Sequence, residues 1–224
     1  MIKQMKLSLE ERAVEILLDD AGLLHDVDKE HFRGKEDVIV ICCPDGRQFL
    51  RGILNPFVEM YDEAHKLCLL PLTEFGGTLI LDNDSPLVVP GSTIADDFIR
   101  KIKYAVDEMG YKASCPINHQ PCSGARRHKV HPLCVVDSLA YAKERIKKKE
   151  GVGITVANFF QITDIEQDRR RLSRVPYNDY VRWRGHHGDA KLYGEIQRII
   201  RSMERHRLVN NELQNLPNII GGVI

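Results

Sequence analysis

Long apolar runs, an excess of charge of one sign and a secretory leader are all missing from this sequence of 224 residues. The first residues, MIKQMKLSLEERAVEILL, carry charges too early and lack the apolar core of a signal peptide. No apolar stretch approaches the roughly 20 residues that a membrane-spanning helix needs. Lys and Arg together number 32, as do Asp and Glu, so no overall field favours nucleic acid or a membrane surface. These absences predict a cytoplasmic protein without a membrane partner. The balanced charge also argues against nucleic acid as a partner.

The expected cytoplasmic location also indicates the chemical state of the six cysteines. Thiols stay reduced in the cytoplasm, so these cysteines are expected to be core thiols, metal ligands or reactive groups, and not a disulfide framework. Alternation along a strand turns Cys42 away from its neighbour Cys43 and into the packing. Cys68, Cys115 and Cys134 are expected in the core. Cys43 and Cys122 are left as candidates for chemistry.

Helical and strand patterns alternate along the chain. Ser8 and Glu11 form a capping-box pattern before one helix, and Thr93 with Asp96 repeats it before another. The predicted helices are 9–20, 94–109, 133–149 and 189–209, the predicted strands are 38–43, 77–81, 111–117 and 151–163, and 169–183 is expected to be irregular.

This alternation predicts an α/β fold with a central, mostly parallel sheet flanked by helices. We expect a single α/β domain over 1–224, made of an N-terminal helical arm (1–37), a core that carries the site (38–163) and a C-terminal helical extension (164–224). In sheets of this kind the functional site lies at the carboxyl ends of the strands.

Two short motifs fall at such strand ends. The run VIVICCPDGRQF places Cys43, Asp45 and Arg47 after a buried strand, each two residues from the last. The segment NHQPCSGA places His119 and Cys122 three residues apart, after another strand. One imidazole and two thiolates are ligands that zinc prefers, and three protein ligands leave one of four positions open for water. Cys43, His119 and Cys122 are therefore the candidate zinc ligands.

Asp45 and Arg47 acquire a role beside such a metal. The guanidinium fork of Arg47 can hold the carboxylate of Asp45, which keeps the acid ionised and able to accept a hydrogen bond from a metal-bound hydroxide. Released from Arg47, Asp45 could instead occupy the open position and shut the site. The sequence leaves open whether water or Asp45 is the fourth ligand.

Cys43-x-Asp45-x-Arg47 followed by His119-x-x-Cys122 resembles the motif pair of the β-class carbonic anhydrases, of which this chain would be a divergent member. The resemblance covers about 38–163. It implies one Zn²⁺ per chain held by Cys43, His119 and Cys122, and Asp45 and Arg47 as the catalytic dyad. It also implies a homodimer or higher homo-oligomer, in which the N-terminal helix could cross to the partner. The implied reaction is reversible hydration of CO2 to bicarbonate and a proton, by attack of zinc-bound hydroxide.

The chain departs from the family pattern around the second motif. Ser123 stands before Gly124 where the family has Gly directly after the cysteine, and Asn118 stands where a Gly usually precedes the histidine. We assign Ser123 and Gly124 to the substrate pocket. The family's Arg-Asn-Ala-Gly-Asn segment is not recognisable, although TEFGG (73–77) falls near its place.

Three alternatives stay open. A relative could hydrolyse another small molecule, such as CS2 or COS, or could be inactive and kept as an interaction subunit. A group drawn from Cys115, Cys122, His128, His131 and Cys134 could instead form a closed zinc knuckle beside the basic runs KERIKKK and RRRLSR. That arrangement would suit a nucleic-acid-binding module without catalytic activity.

Overall fold

The computed structural model describes residues 5–27, 37–45, 68–82 and 85–187, together with the single positions 194, 196, 198 and 203. Nearly all of the helix predicted over 189–209 lies outside these residues, as does Arg47. In the described part no helix is both long and apolar enough to cross a membrane.

The described residues form an α/β fold around one seven-stranded mixed sheet. The strands are β1 (His25–Asp26), β2 (Asp37–Cys42), β3 (Cys68–Thr73), β4 (Ala113–Gln120), β5 (Thr155–Val156), β6 (Phe159–Asp164) and β7 (Arg169–Arg174). Their order is β1-β7-β6-β4-β2-β3, with β5 pairing with β4 beside this path. The pairings around β2 and β4 are all parallel, and only β7 runs antiparallel to its neighbours β6 and β1. The mostly parallel sheet is thereby confirmed.

Five α-helices whose bounds fall within the described residues accompany the sheet. They are α1 (Leu9–Asp20), α2 (Ile94–Asp107), α3 (Ser123–Arg127), α4 (Pro132–Glu144) and α5 (Tyr177–His186). The predicted capping box of α1 is present, because the Ser8 side chain accepts from the Glu11 N–H and the Glu11 carboxylate accepts from the Ser8 N–H. At α2 no such box forms, and the Ser92 hydroxyl accepts from the Ile94 N–H in its place.

Alternation along β2 divides its side chains between two faces of the sheet. Ile39 and Ile41 pack with residues of α2 such as Phe98, while Val40 and Cys42 join a cluster with residues of β4. A third cluster packs α1 and α4 against the β6 part of the sheet. The apolar face of α1 is thus buried against its own chain, whereas the crossing to a partner stays a prediction.

Two local predictions were wrong, and one strand was not predicted. GTLIL forms a buried 3-10 helix (Gly77–Leu81) and not a strand, since a short apolar run fits either one. The strand that was not predicted is β3, which contains Pro71; β3 lies at the end of the strand order among the described residues, and proline is tolerated at such an edge. The range 169–183, expected to be irregular, contains β7 and most of α5.

Ion pairs explain how such a basic segment becomes a strand. Arg169 pairs with Glu15 at 2.5 Å and Arg171 with Asp19 at 2.6 Å, so two acids of α1 compensate two arginines of β7. The N-terminal arm (1–37), the core (38–163) and the C-terminal extension (164–224) all contribute strands to this one sheet. The single domain over 1–224 stays a prediction.

A polar contact between α4 and α5 is expected to stabilise the fold. Asp137 accepts two hydrogen bonds from Arg184, at 2.9 and 3.1 Å, and one from the Tyr180 hydroxyl at 2.7 Å. Burial raises the pKa of Tyr180, so this hydroxyl stays protonated and donates. We expect Asp137→Ala to lower the free energy of unfolding by about 3 kcal/mol, because it removes three hydrogen bonds and the acidic partner of a largely buried guanidinium.

Urea denaturation measures this effect, and an exposed pair provides its control. Arg182 and Asp179 on α5 lie 3.9 Å apart at the surface. Asp179→Ala is expected to change stability by less than about 0.5 kcal/mol. Equal effects of the two substitutions would contradict the role given to Asp137.

Candidate metal centre

The two motifs meet because β2 and β4 are parallel neighbours. Cys43 directly follows β2, and Cys122 is the residue before α3. His119 lies within β4, which continues to Gln120, three residues beyond the predicted strand end. Parallel neighbours present their carboxyl ends at the same edge of a sheet, so residues 76 positions apart in sequence become adjacent.

The three candidate ligands form one compact buried group. One ligand atom each from Cys43, His119 and Cys122 lies within 4.8 Å of the others. All three residues are at most 3% exposed. Among the described residues this is the only group of three or more His, Cys, Asp or Glu side chains close enough to hold a metal ion. The carboxylate of Asp45 is not part of the group.

The ring of His119 is oriented so that one of its nitrogens, Nε2, is available to bind a metal. Nδ1 of His119 lies 3.0 Å from the carbonyl oxygen of Pro121. A carbonyl can only accept, so Nδ1 carries the proton and Nε2 keeps its lone pair. Nε2 is buried and has no hydrogen-bond partner in the described structure. A ligating histidine has this arrangement, with one nitrogen held by a backbone carbonyl and the other free to coordinate.

Backbone N–H groups surround the two sulfurs. The N–H of Gly76 donates to Cys43, and those of Gly124 and Ala125, in the first turn of α3, donate to Cys122. Donors of this kind stabilise thiolate charge. A hydrogen bond from the Cys122 thiol lowers the pKa of Cys43, and the same contact raises that of Cys122. The contact therefore favours the thiolate on Cys43.

This donor set fits zinc. Two sulfurs and one imidazole nitrogen are the soft and borderline ligands that Zn²⁺ binds in tetrahedral sites, with the fourth position left for a small molecule. Ca²⁺ and Mg²⁺ require oxygen ligands and do not fit the group. The unpartnered Nε2 of His119 and the N–H donors around the sulfurs are the observations that support this fit.

The expected acid lies beside the group. Asp45 follows Cys43 by two residues, and its Oδ2 accepts a hydrogen bond from the Ser123 hydroxyl at 3.3 Å. A Cβ added to Gly124 would lie 3.6 Å from the Gly76 nitrogen and 3.8 Å from the Cys122 sulfur. Ser123 thus contacts Asp45, and Gly124 lies beside Gly76 and Cys122. The assignment of Ser123 and Gly124 to a substrate pocket stays a prediction.

Sequence reasoning gave too little weight to Gly76 and Gly77. Both have positive φ angles, +92° and +57°, which favour glycine. A Cβ on Gly77 would lie 2.9 Å from the Cys43 nitrogen, so no larger residue fits there. The pair of glycines in TEFGG was the available signal, because such pairs mark places where the backbone approaches closely.

All five residues of the rival zinc knuckle belong to the described part of the chain, and they do not form a metal-binding group there. Cys115 is buried among apolar residues of the sheet, and Cys134 is exposed on α4. The His131 side chain instead caps α4, with Nδ1 accepting from the Leu133 N–H at 3.1 Å. The buried position expected for Cys115 is confirmed, whereas those expected for Cys134 and Cys68 are wrong, since both are exposed.

Comparison with known proteins gives matches among solved structures alone. No protein-family model matches the sequence, and no curated protein matches it. A carbonic anhydrase from Streptococcus mutans is 17% identical, with a TM-score of 0.39 over 77% of this chain and 100% of that one. A β-carbonic anhydrase of Aspergillus fumigatus is 12% identical, with a TM-score of 0.36 over 68% of this chain and 83% of that one.

A β-carbonic anhydrase from Trichomonas vaginalis is 8% identical, with a TM-score of 0.37 over 74% of this chain and 96% of that one. At such identities the site must be argued from this chain's own residues. Those residues are the two motifs in their order and the Cys/His/Cys group that the fold assembles from them. In both respects the chain resembles a divergent member of the β-class carbonic anhydrases.

Proposed function

We propose that this protein is a zinc-dependent enzyme that reversibly hydrates carbon dioxide to bicarbonate and a proton. The observation that supports this most directly is the buried group of Cys43, His119 and Cys122, with an unpartnered imidazole nitrogen inside it. We infer the substrate, carbon dioxide, from the likeness of the two motifs to those of the β-class carbonic anhydrases.

Cys43, His119 and Cys122 would hold the ion. When bound, zinc would supply a Lewis acid that lowers the pKa of water to about 7. The thiolates of Cys43 and Cys122 would balance its charge. The Pro121 carbonyl keeps the His119 ring in the tautomer that presents Nε2. Burial of all three ligands excludes bulk water from the sulfurs.

Asp45 would act on the attacking water. A carboxylate can only accept, so Asp45 orients the oxygen lone pair toward the carbon of CO2 by accepting a hydrogen bond from that water. The Ser123 hydroxyl, which donates to Oδ2 of Asp45, holds the carboxylate in place. In the proposal Arg47 keeps Asp45 ionised through a charge-assisted hydrogen bond.

The reaction balances without a further reactant. One oxygen–carbon bond forms between water and CO2, one carbon–oxygen π bond breaks, and one proton leaves to buffer. The homodimer or higher homo-oligomer that the resemblance implies belongs to the proposal, and sedimentation measures it. A cytoplasmic location is part of the same proposal.

Stopped-flow CO2 hydration by the zinc-loaded protein, followed from about pH 6 to 9, tests the proposal, because a base of pKa near 7 should govern the rate. We expect hydration above the buffer rate, in proportion to bound zinc and rising with pH. A rise confined to the alkaline end would indicate that Asp45 blocks the metal until Arg47 holds it.

A zinc-loaded protein without hydration at any pH would contradict the assignment. Release of hydrogen sulfide from COS or CS2 under the same conditions would then identify the related hydrolase. Absence of both activities would leave an inactive relative that retains the metal centre.

A further inference from the structure

Asn118 makes a buried set of hydrogen bonds one residue before the candidate ligand His119. Its Nδ2 donates to the Val135 carbonyl at 2.6 Å and to the Ser138 hydroxyl at 2.5 Å, both on α4. Its Oδ1 accepts from the backbone N–H of Thr78 at 3.3 Å. Asn118 is 2% exposed, and Thr78 and Ser138 are fully buried. One side chain thus connects β4, α4 and the 3-10 helix that begins at Gly77.

The network specifies one orientation of the amide. The Val135 carbonyl can only accept, so the nitrogen of Asn118 must face it and the oxygen must face the Thr78 N–H. The Ser138 hydroxyl lies 3.0 Å from both the Val135 carbonyl and the Thr78 hydroxyl. When it donates to the carbonyl and accepts from Asn118 and Thr78, every polar atom in the network is paired. A fully paired buried network is rigid.

This network ends at the metal centre. A Cβ added to Gly77 would lie 3.1 Å from Oδ1 of Asn118 and 2.9 Å from the Cys43 nitrogen, so Gly77 fills the space between them. The preceding residue, Gly76, donates its N–H to the Cys43 sulfur. A shift of the 3-10 helix would therefore move the donor of an N–H···S hydrogen bond.

Asn118 is also a place where the chain departs from the family it resembles. A Gly usually precedes the histidine there, and glycine has no side chain with which to reach α4 or Thr78. The departure thus coincides with a contact that only a side chain can make.

We propose that Asn118 is a positioning residue of the metal centre, which holds the Gly76–Gly77 segment so that the Gly76 N–H donates to the Cys43 sulfur. This inference rests on the proposed metal site. The hydrogen bond withdraws charge from the thiolate, and such contacts to ligands commonly change metal affinity by about 10- to 100-fold when removed.

The experiment compares Asn118→Leu with the unaltered protein. Leucine has the same number and branching of side-chain heavy atoms as asparagine, and it removes all of the amide contacts. Zinc affinity, measured by competition with a chelator, is expected to fall at least about tenfold. With cobalt(II) alone as the probe, the sulfur-to-metal charge-transfer band is expected to move to lower energy, because Cys43 loses a hydrogen bond and donates more charge.

Ser114→Ala is the matched control. Ser114 lies on the same strand, four residues earlier and on the same face, is fully buried, and its hydroxyl has no hydrogen-bond partner in the described structure. Its substitution is expected to leave affinity and band position unchanged. Should Asn118→Leu fail to fold, Ser138→Ala removes one partner of the amide and is expected to move both readouts in the same direction by a smaller amount.

A folded Asn118→Leu or Ser138→Ala protein with unaltered affinity and an unaltered cobalt band would overturn the inference. The proposed function fails differently, when the unaltered protein binds metal and does not hydrate CO2; an unaltered protein that binds neither zinc nor cobalt would overturn the inference as well. Affinity and spectrum are read without activity, so the two failures are distinguishable.

Discussion

Replacement of Cys43 by serine is expected to abolish stoichiometric zinc binding and CO2 hydration together. Serine keeps the size of the side chain but offers a hydroxyl, which stays protonated at neutral pH and binds zinc poorly. His119 and Cys122 alone leave two ligands, too few for a stable tetrahedral site. Elemental analysis of the dialysed protein measures the metal, with one zinc per chain expected before the change and close to none after it.

The neighbouring cysteine provides a matched control. Cys42 is fully buried, but it lies on the other face of the sheet, among Val40, Cys115 and Ile117. Burial raises the pKa of its thiol, so it stays protonated and is no ligand. Cys42→Ala should retain zinc and activity. Zinc retained by Cys43→Ser, or lost by Cys42→Ala in a folded protein, would refute the assignment of the ligands.

Asp45→Asn is expected to retain zinc and to lower CO2 hydration by roughly 10²- to 10⁴-fold, the range for a positioned proton-handling group. The amide has the size of the carboxylate but no charge, and its amino end donates where the reaction needs an acceptor. Retention of the metal is expected because the carboxylate lies outside the group of ligand atoms. Zinc content and stopped-flow rates on the same sample separate the two effects.

Ser123→Ala is the companion variant. It removes the hydrogen bond to Asp45 and leaves the charge in place, so we expect a loss of only a few-fold, of the size of about 1 kcal/mol for one hydrogen bond. Full loss of zinc from Asp45→Asn would instead make Asp45 a ligand. An unchanged rate would remove it from the mechanism.

Local patterns were enough to predict several elements. The capping box of Ser8 and Glu11 starts α1 as expected, and the apolar run before Cys43 is β2 within one residue. Both signals are local, since a cap and a run of β-branched residues act within a few positions. GTLIL was assigned to the wrong element because a buried strand and a short buried helix share one pattern.

Basic residues concealed the strand β7. The range that contains the four arginines of RRRLSR was expected to be irregular. Only the ion pairs of two of them with α1, more than 150 residues away, show why this segment enters the sheet. The exposure of Cys134 was missed for a related reason. Its position on α4 faces away from the packing, which the sequence around it does not reveal.

The sequence by itself determined the identity of the candidate ligands and the alternation that builds a mostly parallel sheet, because ligand type and side-chain period belong to the residues themselves. Tertiary structure decided which nitrogen of His119 is free, which backbone N–H groups reach the two sulfurs, and that Asn118 connects Thr78 with α4. Each of these depends on atoms that are distant in sequence and adjacent only after β2, β4 and α4 pack, so no local pattern contains them.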